Sequence, residues 1–155
     1  MQLQICAVGA MKNAPEKALI DKYLKLLPWP VDIREIIVDS KLPTIKRVAA
    51  ETEKLRAALS GKSRSTIIAL DSRGQMVTSE KFAACVQKSA QLHHGKLSFL
   101  IGGADGLDAS LLKQADHVIA LGACTWPHLL ARALLLEQLY RAYTIHTHHP
   151  YHSGH

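Results

Sequence analysis

Short apolar runs alternate regularly along this sequence with longer segments of helical periodicity, and this alternation limits the fold more than any other feature. Five runs rich in β-branched and aliphatic residues end at glycine or a polar turn, at residues 3–8, 31–38, 66–70, 97–101 and 117–121. Between and after them, apolar residues recur at the i, i+3, i+4 and i+7 spacing of helices with one buried face. This order predicts an α/β fold, a parallel sheet with helices on both faces, because parallel strands need helical crossovers.

Length and composition are typical of an ordinary globular domain. A chain of 155 residues can bury a real core, so we expect residues 1–155 to form one domain. Apolar residues make up 48% of the chain and charged residues 21%, which excludes a disordered polyelectrolyte. The formal net charge of +6 at pH 7 favours a polyanionic partner.

The cysteines and the N-terminus indicate the compartment. Cys6, Cys85 and Cys124 are odd in number, far apart and each in an apolar context, which predicts reduced thiols inside a core. The N-terminus lacks a basic region followed by a long apolar stretch, and no segment reaches the roughly 18 apolar residues of a membrane span. We therefore expect a cytoplasmic protein that does not enter a membrane.

The most glycine-dense turn of the chain follows its most apolar predicted strand. Gly102, Gly103 and Gly106 come after residues 97–101, and Asp108 is a favourable N-cap for the next helix. Glycines there let a ligand approach the backbone, and ligands of open α/β sheets bind at the carboxyl ends of strands. The spacing matches neither the dinucleotide fingerprint nor a phosphate-binding loop. A tight turn without a ligand remains the alternative.

The helix predicted to begin at Thr44 has an apolar stripe and a basic side. The stripe consists of Ile45, Val48, Ala49, Thr52, Leu55 and Leu59, with Gly61 as the predicted stop. The basic side contains Lys46, Arg47, Lys54 and Arg56. Charges in this pattern are typical of a helix face exposed to solvent.

The last predicted helix, residues 129–143, follows the loop 122–128 and is apolar on opposite sides. A helix of this kind is buried on two sides, and in a small chain the second covering surface is plausibly another copy of the protein. Glu137 and Arg141 form an i, i+4 pair on this helix. The pair could be an ordinary helix salt bridge, but its leucine surroundings predict partial burial, which indicates function because buried charge is costly.

The tail, residues 144–155, contains Tyr151 and five of the nine histidines. It has no Cys, Asp or Glu that would complete a metal site, and Pro150 interrupts any helical register. We therefore predict no metal, and a tail that contacts RNA or closes an active site.

Taken together, these motifs resemble the RlmH family of SPOUT-class RNA methyltransferases. The matching stretches are LQICAVG, IIALD, FLIGGADG, LGACTWPH, ARALLLEQLYRA and HPYH, which run nearly from end to end. The last four in combination are far more specific than any single glycine motif. Ala104 and Asp105 depart from the family's pattern, which has proline and glutamate at these positions.

The resemblance implies an enzyme that uses S-adenosylmethionine to methylate ring N3 of a pseudouridine in large-subunit ribosomal RNA within the ribosome. It also implies a SPOUT fold with a C-terminal deep trefoil knot, a homodimer, and neither DNA nor a membrane as partner. The cofactor would bind in the knot, against the loops that follow three strands. The residues at these positions are Leu70, Gly102, Gly103, Leu121, Gly122, Ala123, Cys124, Thr125 and Trp126.

The same resemblance assigns roles around the target nucleotide. Arg141 is the candidate donor to the uracil carbonyls, where negative charge develops, and Glu137 would orient it. His128 and Tyr151 would contact or hold the nucleotide, and an acid–base role for His128 is left open. Two alternatives remain: a SPOUT methyltransferase of another RNA such as tRNA, and an RNA-binding module without catalysis.

Overall fold

The five predicted strands form one parallel sheet in the computed structural model, which describes residues 1–59 and 64–152. The strands are β1 (Gln2–Val8), β2 (Val31–Ile36), β3 (Thr66–Met76), β4 (Lys96–Ile101) and β5 (His117–Ala120). Their order is β2-β1-β4-β3-β5, with parallel pairing between all neighbours. The five predicted strands are confirmed, although β3 continues past Leu70, β2 ends at Ile36 and β5 ends at Ala120. The helix stop predicted at Gly61 and the last three residues of the tail lie outside the described residues.

Helices cover both faces of this sheet, which confirms the predicted α/β class. They are α1 (Glu16–Leu26), α2 (Thr44–Leu59), α3 (Ser79–Ala90), α4 (Ala109–Gln114) and α5 (His128–His146). Successive side chains of a strand point to opposite faces, so Ile5 joins a core cluster with α1, α3 and α5, while Cys6 joins a second cluster with α2 and α4. Among the described helices, none is long and apolar enough to cross a membrane.

Local sequence signals explain where several helices begin. The Asp108 carboxylate accepts a hydrogen bond from the Ser110 backbone N–H at 2.8 Å, which confirms the predicted N-cap of α4. Pro127 precedes the first residue of α5, in agreement with the predicted start. Ile45 does not lie on the buried face of α2 as expected and is 86% exposed. Ala49 is exposed as well, and the buried residues of α2 are Glu51, Thr52 and Leu55, so the helix joins the core only from its middle onward.

The pairing of β3 with β5 is interrupted and then resumes in the same parallel direction. Both Leu70 and Gln75 lie opposite Ile119, so residues 71–74 form an excursion between two paired segments. Gly74 permits this close approach, because a Cβ there would lie 2.7 Å from the Ile119 backbone. The excursion leaves polar residues at the carboxyl edge of the sheet. The trefoil knot implied by the resemblance is compatible with this arrangement and stays a prediction.

Candidate functional site

A cleft of about 670 Å³ lies at the carboxyl ends of β3, β4 and β5. It is lined by residues 70–73, 101–106, 121–122 and 124–128 together with Ala131 of α5. All predicted cofactor residues except Ala123 are in this lining. The volume is within the usual range for small-molecule sites, and this edge is where ligands of open α/β sheets bind. A second cleft of about 500 Å³, at the amino ends of β1, β2 and β4, lacks such a glycine turn.

The glycine turn is tightly packed on itself. The Gly106 N–H donates to the Gly103 carbonyl at 3.1 Å, and Gly106 has a φ of +75°, which favours glycine. A Cβ on Gly102 would lie 2.7 Å from the Gly106 carbonyl carbon and 2.9 Å from the Leu107 nitrogen. Gly102 is therefore required for the turn's own packing, whereas we expected its bare backbone to make room for a ligand.

An aspartate and an arginine join the excursion at residues 71–74 of β3 to the glycine turn. The Asp71 carboxylate accepts from Arg73 Nε at 2.7 Å and from the Leu107 N–H at 3.3 Å, while Arg73 Nη2 donates to the Leu107 carbonyl at 2.7 Å. The Asp71 side chain is almost fully buried. The hydrogen bond from Arg73 lowers the pKa of Asp71, so the carboxylate stays charged. The sequence predicts only a polar turn here, although an acidic and a basic residue two positions apart after a buried run are a usable signal.

Helix α2 supports the other side of the glycine turn. Arg47 Nη2 donates to the Asp105 carboxylate at 2.6 Å, so Arg47 lies at the rim of the cleft and is not merely a solvated charge. A Cβ on Gly103 would lie 3.1 Å from Glu51 Oε1, and Glu51 is 6% exposed. Burial, and next the charge of Asp105, raises the pKa of Glu51. This carboxylate was absent from the sequence prediction because it lies at an unremarkable helical position.

The loop between β5 and α5 forms the third wall of the cleft. Trp126 Nε1 donates to the Leu121 carbonyl at 2.8 Å, which closes the loop on itself, while the indole remains 40% exposed. Gly122 has a φ of +98° with open space around its Cα. Cys124 is exposed and lines the cleft, so the expectation that it is a core thiol is wrong. It belongs to a loop that packs under no helix, unlike the buried Cys6.

His128, the first residue of α5, is the predicted catalytic residue that lines the cleft. Its imidazole lies directly on Gly9 at the end of β1, where a Cβ would be 2.5 Å from His128 Nε2. Burial, and next the positive charge of Arg132, lowers the pKa of His128, while Glu16 opposes this effect. The imidazole is thereby biased toward its uncharged form.

The other three predicted catalytic residues form a cluster near the end of α5. Arg141 Nε and Nη2 donate to Glu137 Oε1 at 3.0 and 2.8 Å, and the Tyr151 hydroxyl donates to the same oxygen at 3.1 Å. The Arg141 guanidinium lies 5.1 Å from the centre of the Tyr151 ring. Both partners of the ion pair are less than a fifth exposed, which confirms the predicted partial burial. Burial is the main reason why the pKa of Tyr151 is raised, so its hydroxyl stays protonated.

This cluster and the cleft of the same chain are separate. Glu137 and Arg141 follow His128 on one continuous helix by nine and thirteen residues, or about 13 and 20 Å along the helix axis. Neither they nor Tyr151 line the cleft. The structure of one chain thus brings His128 to the predicted cofactor residues and leaves Arg141, Glu137 and Tyr151 apart from them.

Three of the tail histidines lie where the structure describes their side chains. Among the residues that the structure describes, no three His, Cys, Asp or Glu side chains are grouped so that they could hold a metal ion. His146, His148 and His149 are exposed at the end of α5.

Comparison with known proteins identifies the family of this chain and agrees with its fold. The family model described as "Predicted SPOUT methyltransferase" matches residues 1–152. The chain therefore belongs to the SPOUT methyltransferase family.

Curated relatives show which kind of SPOUT methyltransferase this chain resembles. Proteins named "Ribosomal RNA large subunit methyltransferase H" from Rhodospirillum centenum and Rhodospirillum rubrum are 37% and 40% identical to this chain. Each alignment covers 98% of this chain and 99% of the relative. A protein of the same name from Brucella abortus is 40% identical over 167 aligned positions. The resemblance to the RlmH family is thus confirmed.

Solved structures share the fold at low sequence identity. A probable methyltransferase from Bordetella pertussis Tohama I superposes with a TM-score of 0.57 at 13% identity, covering 91% of this chain and 95% of that one. A probable methylase family protein from Haemophilus influenzae Rd KW20 superposes with a TM-score of 0.55 at 12% identity, covering 96% and 68% of the two chains. These neighbours show the fold alone.

Proposed function

We propose that this protein is an S-adenosylmethionine-dependent methyltransferase that acts on ring N3 of a pseudouridine in large-subunit ribosomal RNA, in the cytoplasm. The observation that carries the proposal is the cleft at the carboxyl ends of β3, β4 and β5, which gathers the loops that the family resemblance assigns to the cofactor. The name shared by the curated relatives supports the RNA substrate.

The lining of the cleft suits this cofactor. Leu70, Ile101 and Trp126 offer apolar surface for an adenine ring, and the backbone groups of the glycine turn and of the loop after β5 can hold its polar atoms. The Asp71 and Asp105 carboxylates also line the cleft, but each is paired with an arginine, so they offer hydrogen-bond acceptors without adding net negative charge. When bound, S-adenosylmethionine supplies a methyl group that its sulfonium charge already activates, so the protein's main task is to position the acceptor.

Arg141 is the group that we assign to the uracil carbonyls. Two of its nitrogens donate to Glu137, and among the hydrogen bonds of the described residues its Nη1 makes none. A guanidinium fixed in this way can direct its free edge at an oxygen where negative charge develops. Tyr151 packs on the guanidinium and bonds to Glu137, so it holds the pair in this orientation.

Arg141 can meet a cleft only if that cleft belongs to a second copy of the chain. An apolar groove of about 230 Å³ between β5, α3 and α5 includes Phe82, Ile119 and Leu134, next to the half-exposed Trp126. We propose that a second protomer covers this surface by an isologous contact in which the two α5 helices run antiparallel and cross near Leu134. Because His128 and Arg141 lie six and seven residues from Leu134, each Arg141 then approaches the partner's His128.

Calorimetry and methyl incorporation test the proposed function together. We expect the protein alone to bind S-adenosylmethionine, and to transfer labelled methyl groups to one uracil-type nucleotide when given ribosomes that lack the modification. Mass spectrometry of the labelled RNA would locate the methyl group on N3. Labelling of tRNA alone would point to another substrate, and RNA binding without cofactor binding would leave a non-catalytic module.

A substitution in the glycine turn tests the position of the pocket. Gly102→Val should abolish cofactor binding, since its side chain would collide with the backbone of Gly106 and Leu107 and displace the turn. Ala84→Val, at an exposed position of α3 outside the lining, is the matched control and should bind normally. Normal binding by a folded Gly102→Val protein would show that the cofactor binds elsewhere.

A further inference from the structure

Arg132, in the second turn of α5, is completely buried, which is unusual for an arginine. Its Nη1 donates to Glu35 Oε1 of β2 at 3.0 Å, and its Nη2 donates to the Gly9 carbonyl at the end of β1 at 3.1 Å. Its Nε is buried without a partner among the described residues. Burying a charged guanidinium costs free energy, and folding does not require it here, because an apolar side chain could pack in the same place.

The buried guanidinium lies beside His128. The two residues are four positions apart on α5 and therefore neighbours on one face of the helix. Both contact Gly9: the His128 ring lies on its Cα, and Arg132 binds its carbonyl. Glu35 accepts from the Met11 N–H at 2.8 Å as well as from Arg132, which ties the loop after β1 to the same unit.

We propose that Arg132, held by Glu35, is a positioning residue that seats the His128 imidazole on Gly9 at the edge of the cleft and keeps that imidazole uncharged when the nucleobase arrives. This inference depends on the proposed function, because it describes how His128 would contact the nucleobase of the RNA substrate. An uncharged imidazole can accept a hydrogen bond from an N3–H group, whereas an imidazolium has no acceptor atom.

The charges around His128 are consistent with this role. Arg132 acts from its own helix, Glu16 from α1, and Glu35 from β2 through Arg132, while Asp71, Arg73 and Asp105 line the cleft in front of it. Burial and Arg132 lower the pKa of His128, and Glu16 raises it. Arg132 is thus the charge that favours the acceptor form.

Arg132→Gln and Glu35→Gln are expected to shift the pKa of His128 in opposite directions. A purely structural role of Arg132 would not produce shifts of opposite sign. Arg132→Gln removes the positive charge and should raise the pKa of His128. Glu35→Gln keeps the shape of the side chain but removes the negative charge that offsets Arg132, so it should lower the pKa of His128. Loss of packing alone would move both variants in the same direction, toward the ordinary value for an exposed histidine.

The pKa is measured in the folded protein by an NMR titration of the histidine Cε1–H signals, with the His128 signal identified by its absence in His128→Asn. Arg132→Lys retains the charge and is expected to stay close to the wild type. If Arg132→Gln does not fold, Glu35→Gln and Arg132→Lys still decide the question. Shifts of the same sign in both glutamine variants, or an unchanged titration in Glu35→Gln, would overturn the proposal.

Methyl-transfer activity is a second measurement, and it distinguishes a failure of this inference from a failure of the proposed function. On ribosomes, the acidic limb of the pH–rate profile should move to higher pH in Arg132→Gln and to lower pH in Glu35→Gln. A wild-type protein that methylates no RNA would reject the proposed function while the titration still tests the role of Arg132. An active enzyme whose profile does not move in either variant would reject the role of Arg132.

Discussion

Four arginines near the site each pair with a carboxylate, and each pair holds a different part of it. Arg47 binds Asp105 at the rim, Arg73 binds Asp71 under the glycine turn, Arg132 binds Glu35 beneath His128, and Arg141 binds Glu137 at the end of α5. Each of these four pairs has no net charge, so the net charge of +6 comes from the other charged residues of the chain. At the scale of single residues, the chain's arginines act mainly as fixed donors.

Arg141→Ala is expected to retain most cofactor affinity and to lose methyl transfer by a factor of about a hundred or more, as when one transition-state donor is removed. Glu137 keeps its bonds from Gln138 and Tyr151, so the end of α5 should remain folded. Methyl incorporation per folded molecule is the measurement, with Arg34→Ala, an exposed arginine on β2, as control. A lower melting temperature with unchanged turnover would instead assign Arg141 a structural role.

Glu51→Gln should raise the melting temperature at neutral pH. Burial raises the pKa of Glu51 above its ordinary value of 4.5, so the carboxyl contributes stability that is complete below that value and is lost as pH rises through the folded pKa. Glutamine removes this loss, and the gain should disappear below about pH 4. Glu53→Gln, exposed on the same helix, is the control and should change little at either pH. Destabilisation by Glu51→Gln at neutral pH would contradict this account.

At the scale of elements, α5 begins at the cleft and ends at the Glu137, Arg141 and Tyr151 cluster, so one helix connects both groups of predicted residues. Its first turn is fixed by the contact between His128 and Gly9. A shift of α5 along its axis would therefore move both groups together.

Gly9→Ala tests the contact at the start of α5 against a matched glycine. Gly9 and Gly122 have φ values of +96° and +98°, so alanine should meet a similar backbone penalty at each. At Gly9 the new Cβ would lie 2.5 Å from His128 Nε2, while at Gly122 it would meet nothing within 4 Å. Gly9→Ala should therefore be less stable than Gly122→Ala by about 1–3 kcal/mol, or about 2–12 °C in melting temperature. Equal losses would mean that the ring moves away without cost.

At the scale of the whole molecule, the cleft and the Arg141 cluster of one chain are about 20 Å apart along α5. The proposed dimer would bring them together from two chains, with the half-buried Leu134 and the exposed Trp126 as the apolar surface on which a second protomer would pack.

A mixed dimer tests this arrangement. One chain carries Arg141→Ala with an intact pocket, and the other carries Gly102→Val with an intact Arg141. If Arg141 acts on the partner's pocket, one of the two sites is complete, and the purified mixed dimer should recover about half of the wild-type activity. Each parental homodimer serves as a control and should be inactive. A mixed dimer as inactive as its parents would show that Arg141 serves its own chain.

Local sequence signals predicted the strands, most helix starts and the glycine turn after β4, while the list of cofactor residues in the cleft came from the family resemblance. These features are encoded locally: an apolar period, an N-cap such as Asp108 or a turn such as the one from Gly102 to Gly106 is set within a few residues. Because parallel strands bring their carboxyl ends to one edge of the sheet, the sequence is enough to assign the loops that follow them to one pocket.

Only the tertiary structure decided which charges support that pocket. The Arg47–Asp105 bond joins residues 58 positions apart and the Arg132–Glu35 bond residues 97 positions apart, so no local pattern contains either pair. It also decided that His128 lies at the cleft of its own chain while Arg141, Glu137 and Tyr151 do not. Burial and charge pairing depend on how the elements pack, and the free energy of burying an arginine such as Arg132 exists only once that packing has formed.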